Sequence, residues 1–363
     1  MHVLKKIAPY LGLMAGLVLL QLVLRLAGKD FWLTQLTMSL YYTIVVLGLC
    51  LLMGFAGQVS LGHGAFFAMG GYTAAWFTTH NFSSAGNSSW VAILRNVGAL
   101  QERTDLYGNP ILTGQPWAGC LMALGLTLVV ALLIGYPALR LRGHYLAMAT
   151  LGFGLIISKI IVGSSSLGAA DGLTNVPPWS LPFGLTLGGR AALRIQNYYL
   201  AAGLLVLTLL LLRNWVHSRV GRALQAIHDR ETAANAAGID TARYKLKTFV
   251  ASALLAALAG VCFTHYAGGI APSEAGALKS VRYVALAAAG GLSSLWGVTT
   301  ISTTLNFCSL RGWFGSLDHA VFGGVLILIV SLAPEGPLRP LGQWLLRLKS
   351  RFSHGKEGAD ATA

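Results

Sequence analysis

The chain has 363 residues, of which 55% are hydrophobic and only 10% charged, with a formal net charge of +14 and a mean hydropathy of +0.64. Soluble domains carry roughly 25% charged residues, so the composition points to a polytopic membrane protein and excludes an ordinary soluble enzyme. The excess of Lys and Arg belongs to loops on the cytoplasmic side of a membrane, and no basic stretch interleaved with exposed aromatics supports nucleic-acid binding.

In chain order, apolar runs long enough to span a bilayer, ~20 residues each, occur at about 7–27, 34–54, 59–79, 117–139, 145–163, 197–213, 248–268, 283–300 and 318–334, with a weaker segment at 300–313. The expected fold is an all-α integral membrane protein, a bundle of eight to ten transmembrane helices in a single domain over 1–350. The first run follows Lys5 and Lys6 like a signal peptide, but it is longer than the usual ~7–15-residue apolar core, so it reads as an uncleaved span. The glycine-rich stretch 54–64 allows a broken or re-entrant helix, tolerated where protein or water covers the backbone. Placing both termini in the cytoplasm puts most cations there. This leaves two long external loops, 80–116 and 164–196, the second turn-laden with Gly and Pro. The tail 351–363 is polar.

Residues 213–247 interrupt the apolar pattern with Arg213, Arg219, Arg222, Arg230, Arg243, Lys245 and Lys247, among which lie Asp229, Glu231 and Asp240. Such a segment cannot enter hydrocarbon and carries no metal-ligand or nucleophile spacing. It reads as a water-facing docking surface.

The chemistry that is missing narrows the function. No GxxxxGK[ST] occurs, and neither do GxSxG and HExxH. Cys50, Cys120, Cys262 and Cys308 lie in separate apolar segments without ligand spacing, and the nine histidines are scattered. No catalytic or metal site is expected. All twelve acidic residues fall in predicted loops or at span ends. An ion-coupled carrier commonly places carboxylates near the midplane, so an external energy source is the better expectation.

Three stretches, 54–75, 145–154 and 285–297, are candidates for the pathway. GFAGQVSLGHGAFFAMGGYTAA (54–75) contains Gly62, His63, Gly64, Phe66, Phe67 and Tyr72, and LAAAGGLSSLWG contains Gly290 and Gly291. The glycines serve either tight helix packing or backbone opening next to a permeant. His63 is either a hydrogen-bonded structural residue or a ligand.

These motifs, together with RLRGHYLAMATLGFG (140–154), the external ADGLTNVP (170–177) and residues 221–260, closely resemble the branched-chain amino-acid permease family of ABC importers, the LivH/LivM type and particularly its LivM branch. The external motif departs from the family's GG-x-[DN]-G pattern: here it is Gly168-Ala169-Ala170-Asp171-Gly172, followed by Asn175, with one glycine lost. The resemblance implies a non-enzymatic permease subunit of the bacterial inner membrane that moves branched-chain, hydrophobic amino acids. Urea or short-chain amides are the alternative cargo. Implied partners are a second, LivH-like permease, two ABC ATPase subunits that hold ATP and Mg, and a periplasmic substrate-binding protein. It also places a coupling helix at about 221–239 that includes Arg222 and Asp229, with Glu231, Ala233, Ala234 and Gly238 at positions like those of the EAA-x3-G loop.

Overall fold

Long all-apolar segments bury themselves as helices whose backbone bonds are satisfied internally, and that rule organises the whole chain. The structure, a computed structural model, describes residues 2–83, 89–104, 110–138, 144–318, 320–324 and 327. Helix α1 (His2–Leu26) leads through a turn into α2 (Trp32–Cys50), which continues as a π-helical turn, Leu51–Phe55. The spanning stretch Trp32–Phe55 is 94% buried and forms the centre of the bundle. After a non-helical stretch, α3 (His63–Thr79) runs to a short α4 (Ser89–Asn96) and an antiparallel hairpin of β1 (Leu100–Thr104) and β2 (Pro110–Gly114), with Leu100 opposite Gly114.

Helices α5 (Pro116–Ala138) and α6 (His144–Gly163) follow, then three short strands, β3 (Leu173–Thr174), β4 (Trp179–Ser180) and β5 (Thr186–Leu187), and then α7 (Arg194–His217). Next come α8 (Arg219–Asp229), α9 (Glu231–Ala236) and α10 (Thr241–Ala267). Strand β6 (Gly269–Ile270) pairs antiparallel with β3, before α11 (Ala277–Gly290) and α12 (Leu295–Leu310). Among the described residues, five helical stretches are long and apolar enough to cross a membrane. The chain is therefore an all-α polytopic protein with little sheet.

Small residues set the contact between α3 and α10. A side chain at Gly70 would overlap the backbone of Ala257, and one at Gly260 would overlap Phe67 O. Helices α3 and α10 thus run parallel at close approach, as small-residue faces permit. Outside, only 33% of the spanning windows of α5 and α6 is buried, leaving Leu121, Leu133, Ile156 and Ile160 exposed as an apolar exterior.

Most expected spans that fall on described residues coincide with helices, and three depart from them. The run at 283–300 is not one span: α11 ends at Gly290 and α12 begins at Leu295. Gly291 adopts φ +87°, Ser294 Oγ accepts the Gly297 N–H at 3.1 Å, and Gly290 and Gly297 bring the two helices together. The weak segment 300–313 is the second half of α12. The run at 59–79 begins at His63, with the preceding residues non-helical. Most of 318–334, the tail 351–363, Arg140 and Arg142 lie outside the described residues.

Candidate functional site

The charged segment folds as two helices rather than one. Arg230 is extended (φ −152°, ψ 98°) and separates α8 from α9, which corrects the single coupling helix expected at 221–239. Ser218 caps α8 by accepting from the Val220 N–H at 3.1 Å, and Leu224 and Ile227 are its buried anchors. Helix α9 closes with Ile239 N–H donating to Ala234 O and Gly238 N–H donating to Asn235 O, with Gly238 at φ +82°. This is a Schellman motif, in which glycine accepts the left-handed conformation most readily.

The expected docking residues divide into three groups. Arg222, Asp229, Ala233 and Gly238 are exposed, together with Thr232, Ala236 and Ala237. Ala234 is only 4% exposed and faces the protein, so its expected place on the presented surface is corrected. Glu231 forms a 2.6 Å ion pair with Lys245 of α10, holding α9 down. What remains for a partner is a small-residue surface flanked by charge.

The inner side of α8 meets two turns of the bundle. A methyl group at Gly57 would stand 2.8 Å from His228 Nδ1. Gln225, His228 and Asp229 share a cleft with Gly54, Phe55 and Ser293, and Gly54 lies so close to Leu292 O that any side chain there would overlap it. Helix α8 therefore packs on the turn after α2 and shares a cleft with the turn between α11 and α12.

Those turns lead to a second feature. His63 Nε2 bonds to Ser252 Oγ, and Ser252 lies eleven residues into α10, about 16 Å along a helix of about 40 Å. Helix α3 therefore begins partway along α10. Helix α11 begins beside it: the Gly64 N–H donates to Ser280 Oγ at 3.1 Å, and the N-cap of α11 is Gly276. Two helices thus start in the interior with their N-termini together, a geometry that concentrates positive dipole ends.

Glu274 sits at this junction, 8% exposed. Its Oε1 accepts from Tyr42 OH at 3.0 Å and from Lys279 Nζ at 2.9 Å. Lys279 also lies 4.3 Å from the centroid of the Tyr42 ring. Glu274 does occupy the loop position expected of a carboxylate, in the turn Pro272–Ala275 between β6 and α11, but it is buried there rather than water-facing, and Lys279 beside it is partly buried. The polar residues that sequence reasoning missed are Tyr42, Thr150, Ser252, Glu274, Lys279, Ser280 and Tyr283. The available signal was an acid and a base five residues apart in PSEAGALK, bracketed by Pro272 and Gly276.

Most expected pathway residues converge on the same junction. Gly62 packs on Thr150 O, with the Leu61 N–H bonded to Thr150 Oγ1 at 2.9 Å. His63 is fully buried between Ser60 and Ser252, so it serves as a polar strut. Phe66 packs on Phe153 and Phe249, and Phe67 on Tyr42 and Phe263. Tyr72 borders a largely apolar cleft of about 620 Å³ between α3, α5 and α6. Gly290 and Gly291 lie at the far end of α11, where they serve packing and a turn.

On the opposite face, Asp171 and Asn175 are exposed, and Gly172 fits against Ile270 O where no side chain has room. Asn175 (φ +61°) and Ala169 (φ +46°) both adopt left-handed conformations. Among the described residues, no group of three or more His, Cys, Asp or Glu side chains could hold a metal ion.

Residues 31–330 match the family described as branched-chain amino acid transport system, permease component. The chain is 29% identical over 342 residues to the high-affinity branched-chain amino acid transport system permease protein LivM of Salmonella typhimurium, covering 88% of this chain and 73% of that protein. It is 24% identical over 314 residues to LivH of the same organism, covering 83% and 92%. A third relative is the autoinducer 2 import system permease protein LsrC of Klebsiella pneumoniae, 32% identical over 178 residues, covering 44% and 50%. No solved structure matches significantly.

Proposed function

Because this chain belongs to the branched-chain amino acid transport system permease family, we propose that it is a translocation subunit of an ATP-driven importer for branched-chain amino acids. It pairs with a LivH-like permease, two ATPase subunits that hold ATP and Mg, and a periplasmic binding protein. The α8–α9 face is cytoplasmic, since the cations of 213–247 gather there, and the face carrying Asp171 and Asn175 receives the loaded binding protein. The protein resides in the bacterial inner membrane with both termini inside.

The observation that carries this reading is the placement of α8 against the turn after α2 and across a shared cleft from the turn between α11 and α12. A docking module seated beside the turns at 54–57 and 291–294 can convey an ATPase movement to the helices that begin at the interior junction. Such gating of broken helices around a fixed site is a recurring solution in transport proteins.

The test is ATP-dependent uptake of labelled leucine by proteoliposomes holding the four-component complex, with urea as the competing cargo. Uptake that requires ATP and binding protein is expected. Uptake by this chain alone, driven by a proton gradient, would overturn the importer reading.

A further inference from the structure

We propose that the buried cluster where α3 and α11 begin is a transit site for zwitterionic α-amino acids. Glu274 takes the cargo's α-ammonium group, while Lys279 and the two helix N-termini take its α-carboxylate. This deepens, and rests on, the permease reading.

The first support is unused hydrogen-bonding capacity. Glu274 is more than nine-tenths buried, yet its Oε2 has no partner among the described residues, and neither do the hydroxyls of Tyr72 and Tyr283. Both tyrosines lie within electrostatic reach of the Glu274 carboxylate. Buried polar atoms are ordinarily satisfied, and an unpartnered carboxylate oxygen with two unpartnered tyrosine hydroxyls in its neighbourhood offers one acceptor and two donors.

The second support is charge. Each helix N-terminus is equivalent to roughly half a positive charge, and neither α3 nor α11 has a side-chain N-cap. With Lys279 added, three positive sources lie near the carboxylate of Glu274, while the neighbouring Arg282 is neutralised by Asp318 at 3.1 Å, so the charge balance at the junction favours one further negative group. An incoming carboxylate fills that role, and Lys279 still has one N–H beyond those given to Glu274 and Tyr42. The matching ammonium group then meets Glu274 Oε2 near Tyr42, whose aromatic ring attracts cations.

The zwitterion therefore alternates with the resident pair, each charge lying next to its opposite. An uncharged amide leaves both resident charges without a new partner, and sites built around charged or hydrogen-bonding groups reject such analogues strongly. The cleft beyond Tyr72, bounded by Met69, Ile157 and Ile161, offers apolar surface to a branched side chain.

The experiment uses the complete complex in proteoliposomes with tritiated leucine. The double variant Glu274→Gln/Lys279→Met removes both charges together, avoiding the orphaned buried charge that single replacements leave. Uptake is expected to fall at least about tenfold while the complex elutes intact on gel filtration. Wild-type uptake kinetics in that assembled variant would overturn the proposal. Should the double variant not assemble, Tyr72→Phe decides, since its hydroxyl holds no described partner: a several-fold rise in the KM for leucine supports the site, and an unchanged KM refutes it. Failure of the permease reading is separate, because the unaltered complex would then show no ATP-dependent leucine uptake at all.

Discussion

Replacing Ala233 with tryptophan adds an indole to the exposed face of α9, one residue from a buried position where the same change would destabilise the fold. Ala233 is exposed and Ala234 is 4% exposed, so the two substitutions separate docking from stability. At Ala233 the helix-propensity difference is below about 0.7 kcal/mol, and surface changes of this kind usually stay within about 0.5 kcal/mol. The anchors of the module, Leu224, Ile227, Ala234 and the 2.6 Å Glu231–Lys245 pair, are untouched.

A groove shaped to a bare small-residue face has no room for an indole, which buries roughly 150–250 Å² wherever it packs. A loss of about 2 kcal/mol in ATPase binding corresponds to about 30-fold weaker affinity. At Ala234, by contrast, overpacking costs about 1–3 kcal/mol in the fold itself. Co-purification of the ATPase subunits, leucine uptake and a thermal denaturation curve are measured on both variants. Ala233→Trp should lose partner and uptake at an unchanged melting temperature, and Ala234→Trp should melt lower. Wild-type ATPase binding by Ala233→Trp refutes α9 as the docking surface. Gly238 is a poorer probe, because at φ +82° any side chain strains the cap before it meets a partner.

Ala169→Gly should stabilise the protein by about 0.5–1 kcal/mol, because a residue at φ +46° sheds about 1–2 kcal/mol of left-handed strain and gives back about 0.5–1 in unfolded-state entropy; a higher melting temperature with unaltered uptake is the expected reading. Glu231→Gln should destabilise by about 1–2 kcal/mol, because Lys245, with its side chain only 12% exposed, loses its charged partner. Adding Lys245→Met to that variant should restore most of the loss, and equal melting temperatures for Glu231→Gln and the wild type would remove the ion pair from any role in holding α9.

The spans were legible wherever an apolar run ends in a polar loop, as at 117–139 and 145–163, since length and hydropathy alone decide those. The breaks at 56–62 and 291–294 were only half legible. Gly and Pro announce that a helix stops, but the depth of the stop depends on partners remote in sequence. Glu274 shows why: it stands between Pro272 and Gly276 like any loop carboxylate, yet Tyr42, 232 residues away, and the first turn of α3 hold it in the interior. A buried carboxylate is present after all, so a lack of such groups is no ground for rejecting ion coupling. Ala233 and Ala234 illustrate the same limit at short range, since composition cannot say which neighbour faces inward on a six-residue helix. The arrangement that hydropathy could not reveal also constrains the mechanism. Helix α11 is about 21 Å long and joins the turn that lies against α8 at one end to Glu274 and Lys279 at the other, while α2 and the 56–62 stretch join α8 to Gly62 and Gly64. If α8 moves as a unit with its partner, both N-termini at the junction shift together, and the charges of Glu274 and Lys279 are the ones that must change neighbours.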